Sequence, residues 1–461
     1  MGSIETVSRF ATCSWPDCHM PAVRGGSCSA CQKHLCRFHS NDKPHRCIQL
    51  DDESWETSIH DEVSTLLSRL NRDALTRIAS RLNGNKPCRF EPGQYLGSGA
   101  IMGCANYHAW IVFPDGERWL ARVPRTGFSD VPPELVEYIV KSEYATLKFL
   151  EKTNVPAPKA FGYGLASDPS NPVGLSYLVI EALPGRPYNA HKATPEQTSK
   201  VLEQAADIMA ELSRYKFDRA GSLIMTKPDG RIDVGEIASN RFLHLGRHGP
   251  FSNAVEYLGD TASQYLELIS DGQLFPQAPF GAYFFYKLVQ KHASKVSGQD
   301  NSGEFFLKHV DDKGDHILVD DEYNIVGIID WQFARTVPAC EAFGPSLLTA
   351  NMGGMYSGQS SMSGKDLILG DALRRRGFST LASHMDRGDL VRRAQFGVPG
   401  GLSRSEVRDI LGALLEALGY GQLLDVDRWV QGKTHTWLGD TASDRRLLKS
   451  LGCCCPSGFC S

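Results

Sequence analysis

Two groups of side chains in this 461-residue chain could do chemistry. The first is Cys13, Cys18, Cys28, Cys31, Cys36 and Cys47 with His39 and His45, spaced C-x4-C-x9-C-x2-C-x4-C-x2-H-x5-H-x-C. Close Cys and His pairs clip a zinc ion, and four such ligands close a tetrahedron, so eight ligands suit two ions. A closed site leaves no position for catalysis, so the ions would be structural. They would also staple a stretch too short and too poor in aliphatics to fold on a core alone. His19 and His34 fit neither set and read as surface residues. The second group is His309, Asp311 and Asp330, in "FFLKHVDDKGDHILVDDEYNIVGIIDWQFARTVP". Two converging carboxylates there suit one proton acceptor and one magnesium ligand.

The elements around these residues must bring them together. Ile317–Val319 and Ile325–Ile329 flank the cluster Asp-Asp-Glu-Tyr-Asn, which predicts a hairpin. An antiparallel hairpin joins its own ends, so Asp330 leaves the second strand beside the loop that carries Asp311. Upstream, "YLGSGAIMGCANYHAWIVFPDGERWLARVPR" reads as a Gly-rich turn, a strand over Tyr107–Phe113, a Pro-Asp-Gly turn and a strand over Arg118–Val123. Gly97, Gly99 and Gly103 would let backbone amides approach a phosphate. A helix follows with Leu135, Ile139, Glu143, Leu147 and Leu150 on one stripe. Glu143 is the carboxylate in that apolar stripe and needs a partner, and Arg122 is the nearest in topology. The strand Tyr177–Ile180 ends in Glu181, Ala182, Leu183, Pro184 and Gly185, which has the look of a hinge. Before all this, Ile59, Val63, Leu66, Leu67 and Leu70, then Leu75, Ile78 and Leu82, recur at helical spacing up to a stop at Gly84. These two helices must bury their faces, most simply on the domain that follows. Residues 190–300 and 350–450 read mainly as helices, with capping boxes opening at Thr194 and Ser403. Arg374, Arg375 and Arg376 read as a solvated face.

The cysteine spacing resembles the AN1-type zinc finger, and "LCRFHSNDKPHRC" matches that family's second half; the x4 gap after Cys13 replaces the usual x2. The resemblance implies one ion on Cys13, Cys18, Cys36 and His39, and another on Cys28, Cys31, His45 and Cys47. From about residue 90 to 350, H-x-D, a hairpin and I-I-D-W resemble the aminoglycoside phosphotransferase (APH) family, a branch of the protein-kinase-like fold. The segments "WLARVPR", "SEYATLKFLEKTNVPAPKAFGYG" and "SYLVIEALPG" fit its fungal-type members. That resemblance implies Asp311 as the base, Asp330 as a metal ligand, Arg122 on phosphate and Glu143 as its ion-pair partner. It implies that Ile180 to Leu183, among them Glu181 and Ala182, hold adenine through backbone groups. It gives His309 the task of orienting the catalytic loop. Two residues depart from the family pattern. Arg122 stands where Lys is commoner, which keeps the charge but changes its geometry. His316 stands where the family has its second metal ligand, an Asn, and imidazole suits manganese or zinc better than magnesium.

The expected architecture is therefore α+β: a two-lobed kinase-like fold behind a small two-zinc finger. Its expected parts are a finger over 8–50, a helical docking segment over 51–86, an N-lobe over 87–186, a helical C-lobe over 187–450 and a Cys-rich tail over 451–461. The expected activity is transfer of phosphate from ATP, with Mg²⁺ or Mn²⁺, to a hydroxyl of a small molecule. The alternative is a nucleotide-binding adaptor whose finger recruits a protein partner. Lys plus Arg number 49 against 53 acidic residues, a net charge of −4, so no positive field invites nucleic acid. No apolar run approaches bilayer length, and the first residues lack a signal-peptide pattern, so an intracellular, cytoplasmic or nuclear location is expected. Thirteen cysteines in a reducing compartment read as ligands or free thiols. Gly2 fits a loose myristoylation pattern, and Cys453, Cys454, Cys455 and Cys460 are palmitoylation candidates, so membrane attachment depends on lipidation.

Overall fold

A computed structural model of the chain describes residues 7, 9–25, 28, 33–40, 52–97, 100–125, 131–226, 230–239, 248–298, 302–358, 362–421 and 425–450. Its first large element is an antiparallel sheet of β1 (Arg89–Pro92), β2 (Asn106–Val112), β3 (Arg118–Pro124), β4 (Ala160–Gly164) and β5 (Tyr177–Glu181), ordered β1-β2-β3-β5-β4. Side chains alternate between the two faces of a strand, and β3 uses both. Trp119, Ala121 and Val123 enter the core shared with α1 (Asp52–Arg69) and α2 (Arg72–Leu82). Leu120 enters a second core that includes Val140, Leu147 and Leu150 of α3 (Pro133–Leu150), and Arg122 reaches α3 through Glu143.

Ile59, Val63 and Leu66 of α1, Leu70 just after it, and Leu75 and Ala79 of α2 are buried against Tyr107, Ala109, Ile111 and Trp119 of the sheet. Each large aliphatic side chain so buried contributes about 1.5–3 kcal/mol. Arg125, one residue past β3, pairs with the buried Glu62 of α1 and fixes the helix along the sheet. The segment 52–82 is thus part of the N-lobe's own core.

The C-lobe begins with β6 (Arg186–Pro187) and α4 (Pro195–Leu212), which opens on a formed capping box between Thr194 and Gln197. β7 (Ser222–Met225) and β8 (Ile232–Gly235) form a hairpin, and α5 (Ala254–Ser270) packs on α6 (Pro279–Lys291). Four short strands then frame the segment that carries His309, Asp311 and Asp330: β9 (Phe305–Lys308), β10 (Ile317–Val319), β11 (Ile325–Ile328) and β12 (Arg335–Pro338). β10 and β11 pair antiparallel with Ile317 opposite Ile328, as their flanking turn cluster predicts. β9 instead pairs with β12, placing Arg335 opposite Lys308. The largest core joins Phe284, Phe285 and Leu288 of α6 to Leu411 and Leu414 of the helix Arg404–Ala417, itself opened by the Ser403 capping box.

The N-terminal segment is held by an isolated bridge between Thr12 and Pro21 and by backbone bonds from Val23 to Leu35 and from Ser14 to His34. Its interior is small: Cys13, Leu35 and Cys36, with Trp15, Cys18 and Cys28 against them. Arg374, Arg375 and Arg376 form ion pairs with Asp371, Asp386, Glu203 and Asp207, the solvated face expected of them. Among the described residues no helix is long and apolar enough to cross a membrane. Gly2 and the tail cysteines lie outside the described residues.

Candidate active site and Cys/His cluster

The cleft chemistry centres on Arg122. Its Nη1 lies 2.7 Å from Oε1 of Glu143, and its Nη2 lies 2.7 Å from Oδ1 of Asp330. Glu143 stands on the buried stripe of α3, one turn beyond Ile139, while Asp330 lies two residues past the end of β11. The contact with Glu143 is an ion pair rather than an aligned hydrogen bond, and Arg122 Nε has no hydrogen-bond partner. Burial pushes the Glu143 carboxyl up to about 7, against the pull of Arg122. Burial would also raise Asp330, but the charge and hydrogen bond of Arg122 hold it below the usual carboxylate range. Asp330 has φ +62°, a left-handed conformation that Asp tolerates better than bulkier residues, and the turn aims its second oxygen away from Arg122.

That second oxygen, Oδ2, lies 3.5 Å from Nε2 of His316. The other nitrogen of His316, Nδ1, lies 3.0 Å from the carbonyl of Asp311. A carbonyl only accepts, so Nδ1 donates to Asp311, and Nε2 is the ring nitrogen left facing the Asp330 carboxylate. His316 is therefore oriented as a metal ligand would be. Asp315, its neighbour, is more than half exposed and reaches Lys313 at 3.7 Å.

Asp311 is half exposed, with Oδ2 3.2 Å from Lys313 Nζ and 3.8 Å from His316 Nδ1. Asp312, facing the other way, accepts from Lys308 Nζ at 3.0 Å and from the Leu347 N–H at 3.1 Å. The loop is pinned through Asp312 and leaves Asp311 to the cleft. His309 donates from Nε2 to the carbonyl of Ile329 at 2.9 Å and packs edge-on against Trp331, with ring centres 4.9 Å apart. Its own pKa is lowered by burial, so it is a neutral tether between the Asp311 loop and the turn after β11 that carries Asp330.

Several neighbours carry no sequence signal of their own. His108 sits opposite Arg122 in the β2–β3 register, and burial lowers it to about 4, so it adds no charge beside the guanidinium. Gln332 accepts from Asn106 Nδ2 at 2.8 Å and ties the post-Asp330 turn to β2. Gly93 has no room for a side chain: a Cβ there would lie 2.2 Å from the carbonyl oxygen of His108. Gly97 has φ +78°, and Gly99 lies outside the described residues.

At the end of β5, Glu181 N–H bonds to Lys159 O and Ala182 N–H to Arg118 O. Among the described residues, no backbone bond of this kind takes up the Leu183 N–H. A pocket of about 780 Å³ empty volume is lined by His309, Asp311 and His316 together with Ile208, Leu307, Ile317, Trp331 and Phe343.

Far along the chain from this cleft, Cys13, Cys18, Cys36 and His39 place one ligand atom each within 4.8 Å of all the others. The separations are 3.9 Å for Cys18 Sγ to Cys36 Sγ, 3.3 Å for Cys13 Sγ to His39 Nδ1 and 3.4 Å for Cys36 Sγ to the same nitrogen. The edges of a tetrahedral zinc site are about 3.8 Å between sulfurs and about 3.6 Å from sulfur to nitrogen, from bond lengths of ~2.3 and ~2.1 Å. The donors fit. Trp15 stacks on His39 at 4.9 Å between ring centres and fixes the imidazole's plane. Burial acts to raise the Cys13 thiol, but N–H donors from Cys36 and Trp15, with His39 and Cys18, bring it down to about 7. Exposed His19 and half-buried His34 stand outside the cluster. Cys28 is described, whereas Cys31, His45 and Cys47 lie outside the described residues.

A comparison with curated proteins returns no match. Among solved structures the chain is similar to a macrolide 2'-phosphotransferase from Brachybacterium faecium, at 16% identity over 74% of this chain and 98% of that one, with a TM-score of 0.39. It is similar to the GDP complex of aminoglycoside 2'-phosphotransferase-IIIa, at 16% identity over 76% and 98% of the two chains, TM-score 0.41. A Plasmodium vivax ethanolamine kinase shares 12% identity over 80% of this chain and 82% of its own, TM-score 0.38. These likenesses are remote. The sequence itself matches a family model over residues 103–351, more than half its length, from the loop before β2 past Asp330 to the residues beyond β12. The chain belongs to the phosphotransferase enzyme family, APH.

Proposed function

We propose that the chain transfers the terminal phosphoryl group of ATP to a hydroxyl of a small molecule, with Asp311 as the base. The observation that carries this reading is Arg122 held between Glu143 and Asp330, with Asp311 and His316 on the far side of Asp330. Asp330 and His316 would hold the nucleotide's Mg²⁺ or Mn²⁺, which supplies charge neutralisation at the phosphates. Asp330 Oδ2 and His316 Nε2 lie 3.5 Å apart, and this carboxylate–imidazole donor set would suit Mn²⁺ better than Mg²⁺. Arg122 would bind phosphate oxygens, its side chain kept in place by Glu143. Leu183 would meet adenine through its N–H, and the loop around Gly97 and Gly99 would cover the phosphates. Asp311 would take the acceptor's hydroxyl proton as the oxygen attacks phosphorus, Lys313 holding its carboxylate toward the cleft. The N-terminal segment would be a structural zinc module of AN1 type, its first ion on Cys13, Cys18, Cys36 and His39 and its second on Cys28, Cys31, His45 and Cys47.

The test is ATP turnover with Mg²⁺ and with Mn²⁺ across a panel of hydroxyl acceptors, wild type against Asp311→Ala. Loss of about 10²-fold or more in turnover is expected, the usual weight of a positioned base. Turnover indifferent to that substitution removes Asp311 from its assigned role. His316 favours a second reading, an adaptor that binds nucleotide without transferring it; tight ATP binding with no turnover on any acceptor would support that reading.

A further inference from the structure

The residues just before the Cys/His cluster turn inward onto the kinase-like domain. Arg9 makes a two-point ion pair with Asp271, Nε to Oδ2 at 3.1 Å and Nη2 to Oδ1 at 3.0 Å. Arg24 Nε donates to Gln273 Oε1 at 2.7 Å, and its backbone N–H donates to Gln273 O at 2.8 Å. Arg24 and Gln273 are both buried, and Gln273 Nε2 bonds in turn to Asp271. This is a continuous polar seam between the cysteine-rich segment and the turn after α5. The Arg24 guanidinium also lies 3.7 Å over the ring of Phe10.

Phe10 is placed by that stack on an apolar cluster of Leu135 and Ile139 of α3 and Ala238, against which Tyr138 and Phe333 also pack. Leu135 and Ile139 lie on the same stripe as Glu143, two turns and one turn before it. Phe333 follows Asp330 by three residues. Phe10 and Phe333 therefore share one apolar cluster built on the α3 stripe, and that cluster joins both elements whose carboxylates grip Arg122. Packed helices do not deform continuously, and a ring removed from such a contact leaves α3 free to shift along its axis.

We infer that Phe10, clamped by Arg24 and the Asp271–Gln273 turn, is a positioning residue that holds α3 and the Asp330 segment in the arrangement where Arg122 meets both acids. The consequence for ATP rests on the phosphotransferase reading; the mechanical coupling does not.

The experiment uses the full chain and two variants, Phe10→Ala and Arg24→Ala, each checked for unchanged zinc content by metal analysis. Hydrogen exchange is followed over 133–150 and 330–333, and KM for ATP and kcat are measured separately. Both variants should exchange faster in those two segments and nowhere on the far face of the C-lobe. KM for ATP should rise about fivefold or more, the low end of couplings between linked sites. Phe10→Leu should restore most of both effects, since it refills the contact with an apolar body. Protected α3 amides at wild-type levels in both variants, with zinc retained, would overturn the clamp whether or not ATP is turned over. Absence of turnover in wild type would count against the phosphotransferase reading alone, because the exchange data still decide the coupling. Where Phe10→Ala fails to fold, Arg9→Ala, at the solvent edge of the seam, replaces it with the same two outcomes.

Discussion

Glu143 is the residue whose charge state most directly governs the cleft. Its carboxyl is raised to about 7 by burial, while only its ionised form can hold Arg122. Because the folded state binds that proton more tightly than the unfolded chain, the group's contribution to stability falls as pH rises from the ordinary carboxylate range to about 7. Binding runs the other way, since an ionised Glu143 is needed to hold the guanidinium toward phosphate. ATP affinity is therefore expected to strengthen as pH rises through about 7, and Glu143→Gln should weaken it and flatten that dependence. Titrating nucleotide affinity between pH 5.5 and 8.5, a window of roughly one and a half units on either side of the raised value, checks this; equal slopes in both proteins would contradict it. His316 carries a second prediction. With Nδ1 tied to the Asp311 carbonyl, Nε2 is the sole ring donor left for a metal. His316→Asn puts an oxygen in its place, so the ratio of Mg²⁺- to Mn²⁺-supported turnover should rise by about tenfold, a modest difference in ligand preference. A ratio unmoved by the change would mean that His316 does not touch the metal.

At the scale of elements, what was legible followed from periodicity and turn chemistry. Leu135, Ile139, Glu143 and Leu147 share a helical stripe, and a lone acid in such a stripe demands a cation; the structure supplies Arg122 at 2.7 Å. The β10–β11 hairpin was likewise readable from two apolar runs around a turn cluster. The partner of β9 was not. Phe305–Lys308 is buried at all four positions and lacks alternation, and its mate β12 begins 27 residues later, beyond the reach of any local signal. His108 and Gly93 were missed for the same reason, as their importance arises only when β2 lies beside Arg122 and the Gly-rich loop folds back on it. The leading helices offer an energetic check. Leu75 is fully buried between α2 and the sheet. Leu75→Ala should cost about 2–5 kcal/mol of unfolding free energy, the range for a core leucine. A helical segment merely tethered to the domain would lose far less, so chemical denaturation of that one variant separates a built-in layer from an appended one.

Across the whole molecule, the gathering of Cys13, Cys18, Cys36 and His39 was legible in the sequence, but the docking of their segment on the kinase-like body was not. Residue spacing shows which thiols are neighbours; it cannot show that Arg9 and Arg24 meet Asp271 and Gln273 some 250 residues away. The docked face is polar and aromatic, and it leaves Met20 and Phe38 of the same segment exposed on the outside. The module thus has one side committed to its own chain and another open, which accommodates both the phosphotransferase and the adaptor readings. Metal should hold the two sides together. The cluster Cys13, Cys18, Cys36 and His39 lies between the Phe10 arm and the Arg37–Phe38 corner, and a core of Cys13, Leu35 and Cys36 is too small to persist without an ion. Cys36→Ser should remove one zinc equivalent per chain and leave the ion assigned to Cys28, Cys31, His45 and Cys47 in place. The same variant should expose the segment before Asp52 to limited proteolysis while the domain from β1 onward resists. A zinc content unchanged by Cys36→Ser would show that the four clustered donors are not the ligand set, whatever the second site holds. Equal protection from protease with the zinc gone would show instead that docking on Asp271 and Gln273, not the metal, keeps the segment folded.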